Sequence, residues 1–247
     1  MKKLGLNLPS PERLSTVPHI LNYAATQGLP LIADSADYTQ VLPDGLWGML
    51  GNNFAGNCFW VAIANMLMSQ EMNVTGKVSK VYTTDDVMGW YKAYLLTQGV
   101  VYDENDPNTD QGTDPIIGMN WLVQHGIIEA WGQVAIDNDA HLATAIELYG
   151  SVLGGLSVPS GYMNSTTWGT NAGPIEGGHA IVLGAYNPQC DTTGLTWGEK
   201  IKWLNAGRRQ YGNLAIAIIT KAWLGTVGKT LQGFVLSDLQ ADLALVT

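Results

Sequence analysis

A cysteine and a histidine that lie far apart in the chain each have the local setting that thiol chemistry requires. Cys58 follows a small polar turn, residues 52–57, and begins an apolar run typical of a buried helix. His179 follows two glycines and begins an apolar run typical of a buried strand. The positive end of a helix dipole favours a thiolate, and an imidazole from another element can complete its activation. The pair predicts a nucleophilic cysteine with a histidine base.

The start of the Cys58 helix also predicts how such a site would stabilise negative charge. The first backbone N–H groups of a helix have no partner within the helix. The N–H of Cys58 itself belongs to this set, and it would face an oxyanion that forms at a substrate carbonyl. The chemistry expected is therefore acyl transfer through a thiolate.

Hydrophobic periodicity and capping residues predict the elements that position this pair. We expect helices over 17–27, 58–71, 85–98 (capped by Thr84), 115–125 and 140–149, and a last helix from the capping box at Ser237. We expect strands over 127–136, 151–159, 179–186, 200–205 and 213–221, with a long loop over 160–178. Helices dominate the first half and strands the second, which predicts an α+β fold with two lobes.

Two short motifs resemble a known family. Residues 57–62 (NCFWVA) resemble the nucleophile helix of papain-like cysteine peptidases, and residues 178–186 (GHAIVLGAY) resemble their histidine strand. The resemblance implies an asparagine on the partner strand, and Asn205 fits that place as the residue that orients the His179 ring. It also implies an oxyanion donor six residues before the cysteine, which here is Asn52.

The chain departs from the family pattern at several points. Phe59 stands where the family has tryptophan, and Ala206-Gly207 replaces the Ser-Trp-Gly that follows the family's asparagine. The nearest rival to Asn205 is Thr196, which precedes Trp197-Gly198. A long propeptide is also missing, so we expect no control by the usual inhibitory pro-segment. The pattern looks most like compact papain-like proteins of bacteria and their phages.

The fold implied is a single papain-like domain over 1–247 with its active site in a cleft between two lobes. The helical lobe would span about 45–150 and carry the nucleophile helix. An antiparallel β-rich lobe would span about 151–221, and a tail helix would occupy 222–247.

Composition limits the partners and the compartment. Hydrophobic residues make up 46% of the 247 positions, charged residues only 13%, and the formal net charge is −9. Such a surface repels phosphate backbones, so we expect no nucleic acid partner. Two cysteines are too few for a disulfide framework. We expect no signal peptide, no membrane association and a soluble protein that is cytoplasmic or associated with a virion.

Cofactor and metal sites are not expected. The two cysteines and four histidines form no metal-ligand pattern. The acidic segment 103–114 places oxygen ligands at alternate positions, as calcium loops do. In a twelve-residue loop that starts at Asp106, Gln111 stands where such loops need glycine and Ile117 where they need a bidentate glutamate, so a solvated loop is favoured over a calcium site.

Three functions are consistent with these features. The first is a cysteine-dependent hydrolase, a peptidase or amidase, that acts on peptides or proteins. The second is a catalytically silent papain-like protein that serves a structural or decorating role in a phage particle, where its partners would be other virion proteins. A third keeps the Cys–His chemistry and directs it at cell-wall peptides.

Overall fold

The computed structural model describes residues 2–20, 32–39 and 47–224. Within these residues, helices precede most of the sheet along the chain. The helices are α1 (Pro11–Ser15), α2 (Cys58–Thr75), α3 (Thr84–Thr97), α4 (Pro115–Gln124), α5 (Asp139–Tyr149), α6 (Asn205–Tyr211) and α7 (Lys221–Leu224). The strands are β1 (Ala36–Asp37), β2 (Ala130–Val134), β3 (Val152–Pro159), β4 (Thr167–Trp168), β5 (Ile175–Tyr186), β6 (Thr192–Thr196), β7 (Glu199–Trp203) and β8 (Gly212–Ile219).

Helix α2 is the central helix of the first half, as predicted. Its first nine residues are all buried, because the helix is apolar on every side and packs against β5 and β3. It ends at Gly76, whose φ of 71° lies in the left-handed region where glycine is unstrained. The predicted helix is confirmed and extends one turn further than expected.

The caps of the next two helices follow from their sequences. Thr83, not the predicted Thr84, caps α3: its hydroxyl accepts from the N–H of Asp86, whose carboxylate accepts from the Thr83 N–H in return. Asp114 caps α4 as predicted, with its carboxylate accepting from the N–H groups of Ile116 and Ile117.

The strands form one sheet in the order β2-β8-β3-β5-β6-β7-β4, and β1 lies off this path, paired with the end of β5. All pairs are antiparallel except β4 with β7. Alternate residues of β5 face two separate cores: Ala180 and Val182 join the core around α2, while Ile181 and Leu183 join the core around α5. Ala180, the residue after His179, therefore lies on the face of the sheet that packs against α2.

Several predicted boundaries differ from the structure. Strand β6 and helix α6 were not predicted, and β7 ends at Trp203, before Asn205. Segment 160–178 is not wholly a loop, because it contains a 3-10 turn (Ser160–Asn164), β4 and the start of β5. Residues 17–20 are not helical; the rest of the predicted helix 17–27, and the tail helix beyond Leu224, lie outside the described residues.

Across the described residues, none of the helices combines the length and the apolar character needed to span a bilayer.

Candidate active site

Cys58 is the first residue of α2 and is 1% exposed. Backbone N–H groups surround its sulfur: those of Ala180 on β5, of Gly5, and of Phe59 and Cys58 at the helix start. The N–H of Ala180 comes from the residue that follows His179. Helix α2 and strand β5 therefore meet at the Cys58 sulfur.

His179 lies in β5 with no exposed surface, paired across the sheet with Leu156. Its Nε2 is 2.6 Å from the hydroxyl oxygen of Thr196, the last residue of β6. Its ring stacks on Trp197, with centroids 4.2 Å apart and planes 20° from parallel. Its Nδ1 is buried and has no hydrogen-bond partner within the part of the chain that the structure describes. The ring is thus fixed on one edge and unpartnered on the other.

The tight turn between β6 and β7 brings Thr196 and Trp197 to the histidine. Thr196 pairs with Glu199, and the two residues between them, Trp197 and Gly198, have positive φ values of 51° and 76°. Two positive values at the centre of a two-residue hairpin define a type I′ turn, which is unusual for tryptophan. The turn holds Trp197 flat against His179. Thr196, the rival considered from the sequence, therefore occupies the position predicted for an asparagine.

Asn205 lies elsewhere, which corrects the prediction that it orients the His179 ring. Its carboxamide donates to a carboxylate oxygen of Asp139 at 3.0 Å and to the carbonyl of Gln189 at 3.3 Å. The physical reason is that β7 ends at Trp203, so Asn205 begins α6 rather than continuing the hairpin beside β5.

Asn52 lies in the turn before α2 and is 1% exposed. Its side-chain N–H donates to the carbonyl of Ala55 at 3.0 Å, which closes the turn, and its own carbonyl accepts from the N–H of Lys3. A carboxamide has two N–H groups, so this bond leaves one of them for another acceptor. The role of Asn52 as an oxyanion donor stays a prediction.

Burial keeps both reactive groups neutral. It raises the pKa of the Cys58 thiol to about 12, although the surrounding N–H groups act in the opposite direction. Burial also lowers the pKa of His179 to about 3, with a smaller contribution from the positive charge of Lys2. At neutral pH the described site therefore holds a thiol and a neutral imidazole.

Open space lies away from this centre. A groove of about 630 Å³ runs along the sheet between β1, β5, β6 and β7, and neither Cys58 nor His179 lines it. No set of three or more His, Cys, Asp or Glu side chains within residues 2–20, 32–39 and 47–224 is placed to hold a metal ion. In the acidic segment, the Asp110 carboxylate instead accepts from the Gly56 N–H and the Tyr91 hydroxyl.

Comparison with known proteins gives matches at the level of structure alone. The chain matches no protein-family model and no curated protein sequence. Xylellain, a cysteine protease from Xylella fastidiosa, superposes with a TM-score of 0.62 at 15% identity, covering 89% of this chain and 98% of that one. The proCathepsin B of Trypanosoma congolense gives 0.59 at 12% identity over 88% and 86%. Bromelain from Ananas comosus gives 0.53 at 9% over 77% and 100%.

The chain has the papain-like fold. The predicted α+β architecture is confirmed, and the similarity to solved structures extends over most of the described chain. At these identities the likeness establishes the papain-like fold and not the chemistry, which depends on the residues around Cys58.

Proposed function

We propose that this papain-like chain is a cysteine-dependent hydrolase of peptide or amide bonds, with Cys58 as the nucleophile and His179 as the base. The observation that supports the proposal is the meeting of α2 and β5 at the sulfur, where the N–H of Ala180 points at Sγ. A cysteine at a helix start, at the strand that carries a histidine whose ring is held by a third residue, has the elements that covalent acyl transfer needs.

The chemical steps follow from the two residues. His179 takes the thiol proton, and the Cys58 sulfur attacks the carbonyl carbon of the substrate. The N–H of Cys58, with Asn52 as the predicted second donor, stabilises the oxyanion. His179 then gives its proton to the leaving amine, and a water molecule, deprotonated by His179, releases the acyl group.

Thr196 takes the positioning role in this proposal. Its hydroxyl lies 2.6 Å from His179 Nε2, and it can accept a hydrogen bond from the protonated ring. That bond leaves Nδ1 as the ring atom that exchanges a proton with the thiol. Trp197 covers one face of the ring and excludes water from the Thr196–His179 contact.

The decisive experiment is hydrolysis of a fluorogenic peptide mixture by the full chain and by Cys58→Ala. We expect Cys58→Ala to reduce turnover to background, because no acyl-enzyme can form without the sulfur. Cys190→Ala is the matched control, since Cys190 is the second cysteine and lies between β5 and β6. Turnover that survives Cys58→Ala in a folded protein would contradict the proposal.

The silent papain-like protein is the second candidate, and the burial of the neutral Cys58–His179 pair favours it. On that hypothesis neither the full chain nor a variant with an exposed Cys58 would turn over any substrate. A structural role in a phage particle and an activity on cell-wall peptides stay predictions. Loss of turbidity of purified cell walls, absent with Cys58→Ala, would identify the latter.

A further inference from the structure

The turn that leads into α2, residues 50–57, has a strained start. Leu50 has a positive φ of 45°, and Gly51 follows with a φ of 94°. Glycine is unstrained in this region, whereas a leucine there costs free energy and persists only where its surroundings hold it. The carbonyl of Leu50 accepts from the side-chain N–H of Asn57 at 2.9 Å, which ties the start of the turn to the residue before Cys58. The turn therefore depends on specific contacts for its shape.

A carboxylate from the acidic segment also holds this turn. The Gly56 N–H donates to both oxygens of Asp110, at 2.9 Å each. Gly56 is buried and lies two residues before Cys58. A hydrogen bond to a carboxylate is about twice as strong as one between neutral groups. Asp110 therefore fixes the N–H of Gly56 close to the start of α2.

Asp110 is itself held by Tyr91 of α3. The Tyr91 hydroxyl donates to an Asp110 oxygen at 2.7 Å and accepts from the Gly112 N–H at 2.8 Å. The Tyr91 side chain has no exposed surface. Burial raises the pKa of Tyr91, and the hydrogen bond to Asp110 adds to this effect, so the hydroxyl stays protonated as a donor. These contacts connect α3, through Asp110, to the turn before Cys58.

The position of this turn matters for one step of the proposed reaction. The N–H of Cys58 would stabilise the oxyanion, and Asn52, in the same turn, is the predicted second donor. Donors stabilise an oxyanion only when they lie about 2.7–3.1 Å from the place that it occupies. A small rotation of the turn would therefore misalign them. A reaction of the sulfur that forms no oxyanion needs no such alignment.

We propose that Asp110 is a positioning residue of the hydrolase, which holds residues 50–57 so that the donors in and after this turn face the oxyanion formed at Cys58. The inference rests on the proposed function, because the oxyanion forms only when the sulfur attacks a carbonyl. It differs from a general role in folding, because the loss it predicts is confined to reactions at a carbonyl carbon.

The test compares two reactions of the same sulfur, in the full chain with Cys190→Ser as the parent. With p-nitrophenyl acetate, the Cys58 sulfur bonds the carbonyl carbon, an oxyanion forms, and p-nitrophenolate leaves. With iodoacetamide, the sulfur bonds the methylene carbon and iodide leaves, without an oxyanion. The thiol loses its proton in both reactions. Mass spectrometry of the peptide that contains Cys58 gives both rates, and their ratio cancels any change in the exposure or ionisation of the thiol.

Asp110→Ala should lower the ratio of acylation to alkylation by about tenfold, because the turn loses its carboxylate acceptor and the oxyanion donors lose their alignment. Asp110→Asn retains an oxygen for the Gly56 N–H and should keep most of the parent's ratio. Asp106→Ala is the matched control, since it removes the same charge from the same segment. The exposed Asp106 carboxylate accepts from Asn108 within its own turn, so this variant should keep the parent's ratio.

A second variant keeps the test decisive. Tyr91→Phe removes the hydroxyl that bonds Asp110 while the buried ring stays, and it should lower the ratio by about threefold. The proposal is overturned if folded Asp110→Ala and Tyr91→Phe both keep the parent's ratio, or if Asp110→Asn falls as far as Asp110→Ala. A folded parent whose Cys58 reacts with neither reagent would overturn it as well.

The two proposals fail in different ways. Peptide turnover by the parent, with an unchanged ratio in Asp110→Ala, would keep the hydrolase and reject the positioning role. A lower ratio in Asp110→Ala, without any peptide turnover by the parent, would keep Asp110 as a positioning residue for acyl transfer and reject peptide hydrolysis.

Discussion

Two polar centres of this molecule differ in whether their groups are neutral or charged. The Cys58–His179 centre is covered, neutral and partly unpartnered. The second centre, which we name the Arg208 cluster, consists of Asp139, Asn205, Arg208 and Arg209, and it contains one carboxylate and two guanidinium groups. The fully buried Arg208 side chain contacts Asp139 at 2.5 Å, and Arg209 contacts the other carboxylate oxygen at 2.8 Å.

The difference lies in how each centre compensates for lost water. Burial alone would raise the pKa of the Asp139 carboxyl. Hydrogen bonds from Arg208, Arg209 and Asn205 together outweigh this effect and lower the pKa to about 2. Around Cys58 the donors are backbone N–H groups without full charge, and they do not overcome burial. The Asp139 carboxylate is therefore stable in its charged form, whereas the Cys58 thiol ionises only if its surroundings become less apolar.

The largest loss of stability is expected from a substitution that breaks the Arg208 cluster. Arg208→Ala should lower the free energy of unfolding by about 3 kcal/mol, because it removes the fully buried guanidinium that bonds both Asp139 and the carbonyl of Ile136. Urea denaturation measures this. Arg209→Ala is the control: the side chain is 52% exposed and bonds the same carboxylate, so the midpoint should hardly move. Equal losses for the two variants would remove the distinction between buried and exposed partners.

A smaller effect is expected at the histidine. Thr196→Val should lower the free energy of unfolding by about 1–3 kcal/mol, because it leaves His179 Nε2 buried without its partner. Thr196→Ser keeps the hydroxyl and should retain most of the free energy of unfolding that Thr196→Val loses. Thr192→Val, on the same strand, removes a buried hydroxyl that has no partner among the described residues, so it should cost little.

The positioning role of Thr196 has its own readout. In a Cys190→Ser chain, Thr196→Val should shift the pH profile of Cys58 alkylation, because the hydroxyl no longer bonds His179 Nε2, and Thr196→Ser should return it. A merely structural threonine would lower stability and leave that profile in place.

The smallest effect near neutral pH comes from the titration of His179. Its pKa is lower in the folded chain, about 3, than the ordinary 6.5, so the folded state binds fewer protons than the unfolded state. Stability from the neutral ring is thus complete above pH 6.5 and is lost as the pH falls toward 3. His179→Gln should flatten this part of the curve of unfolding free energy against pH. The Asp139 contribution should persist until the pH falls below about 4 and approaches 2.

Several features of the site were accessible from local sequence. The helix that begins at Cys58 and the strand that carries His179 follow from apolar runs with glycine and asparagine at their starts, and the structure confirms both. The distinction between Thr196 and Asn205 had one local signal, Gly198, because glycine is favoured in a tight hairpin turn. The family order of residues favoured Asn205 instead.

The sequence by itself determined the two elements that carry Cys58 and His179, because their apolar runs, and the glycines and asparagine before them, are local features of the chain. Only the tertiary structure decided which side chain holds the histidine, since that depends on where β7 ends and which strand pairs beside β5. It alone decided that the N–H of Gly5, from the far end of the chain, lies at the Cys58 sulfur. Backbone hydrogen bonds, and the close approach of Gly5 to Gly56, depend little on the types of the side chains. Hydrophobic periodicity therefore does not predict them.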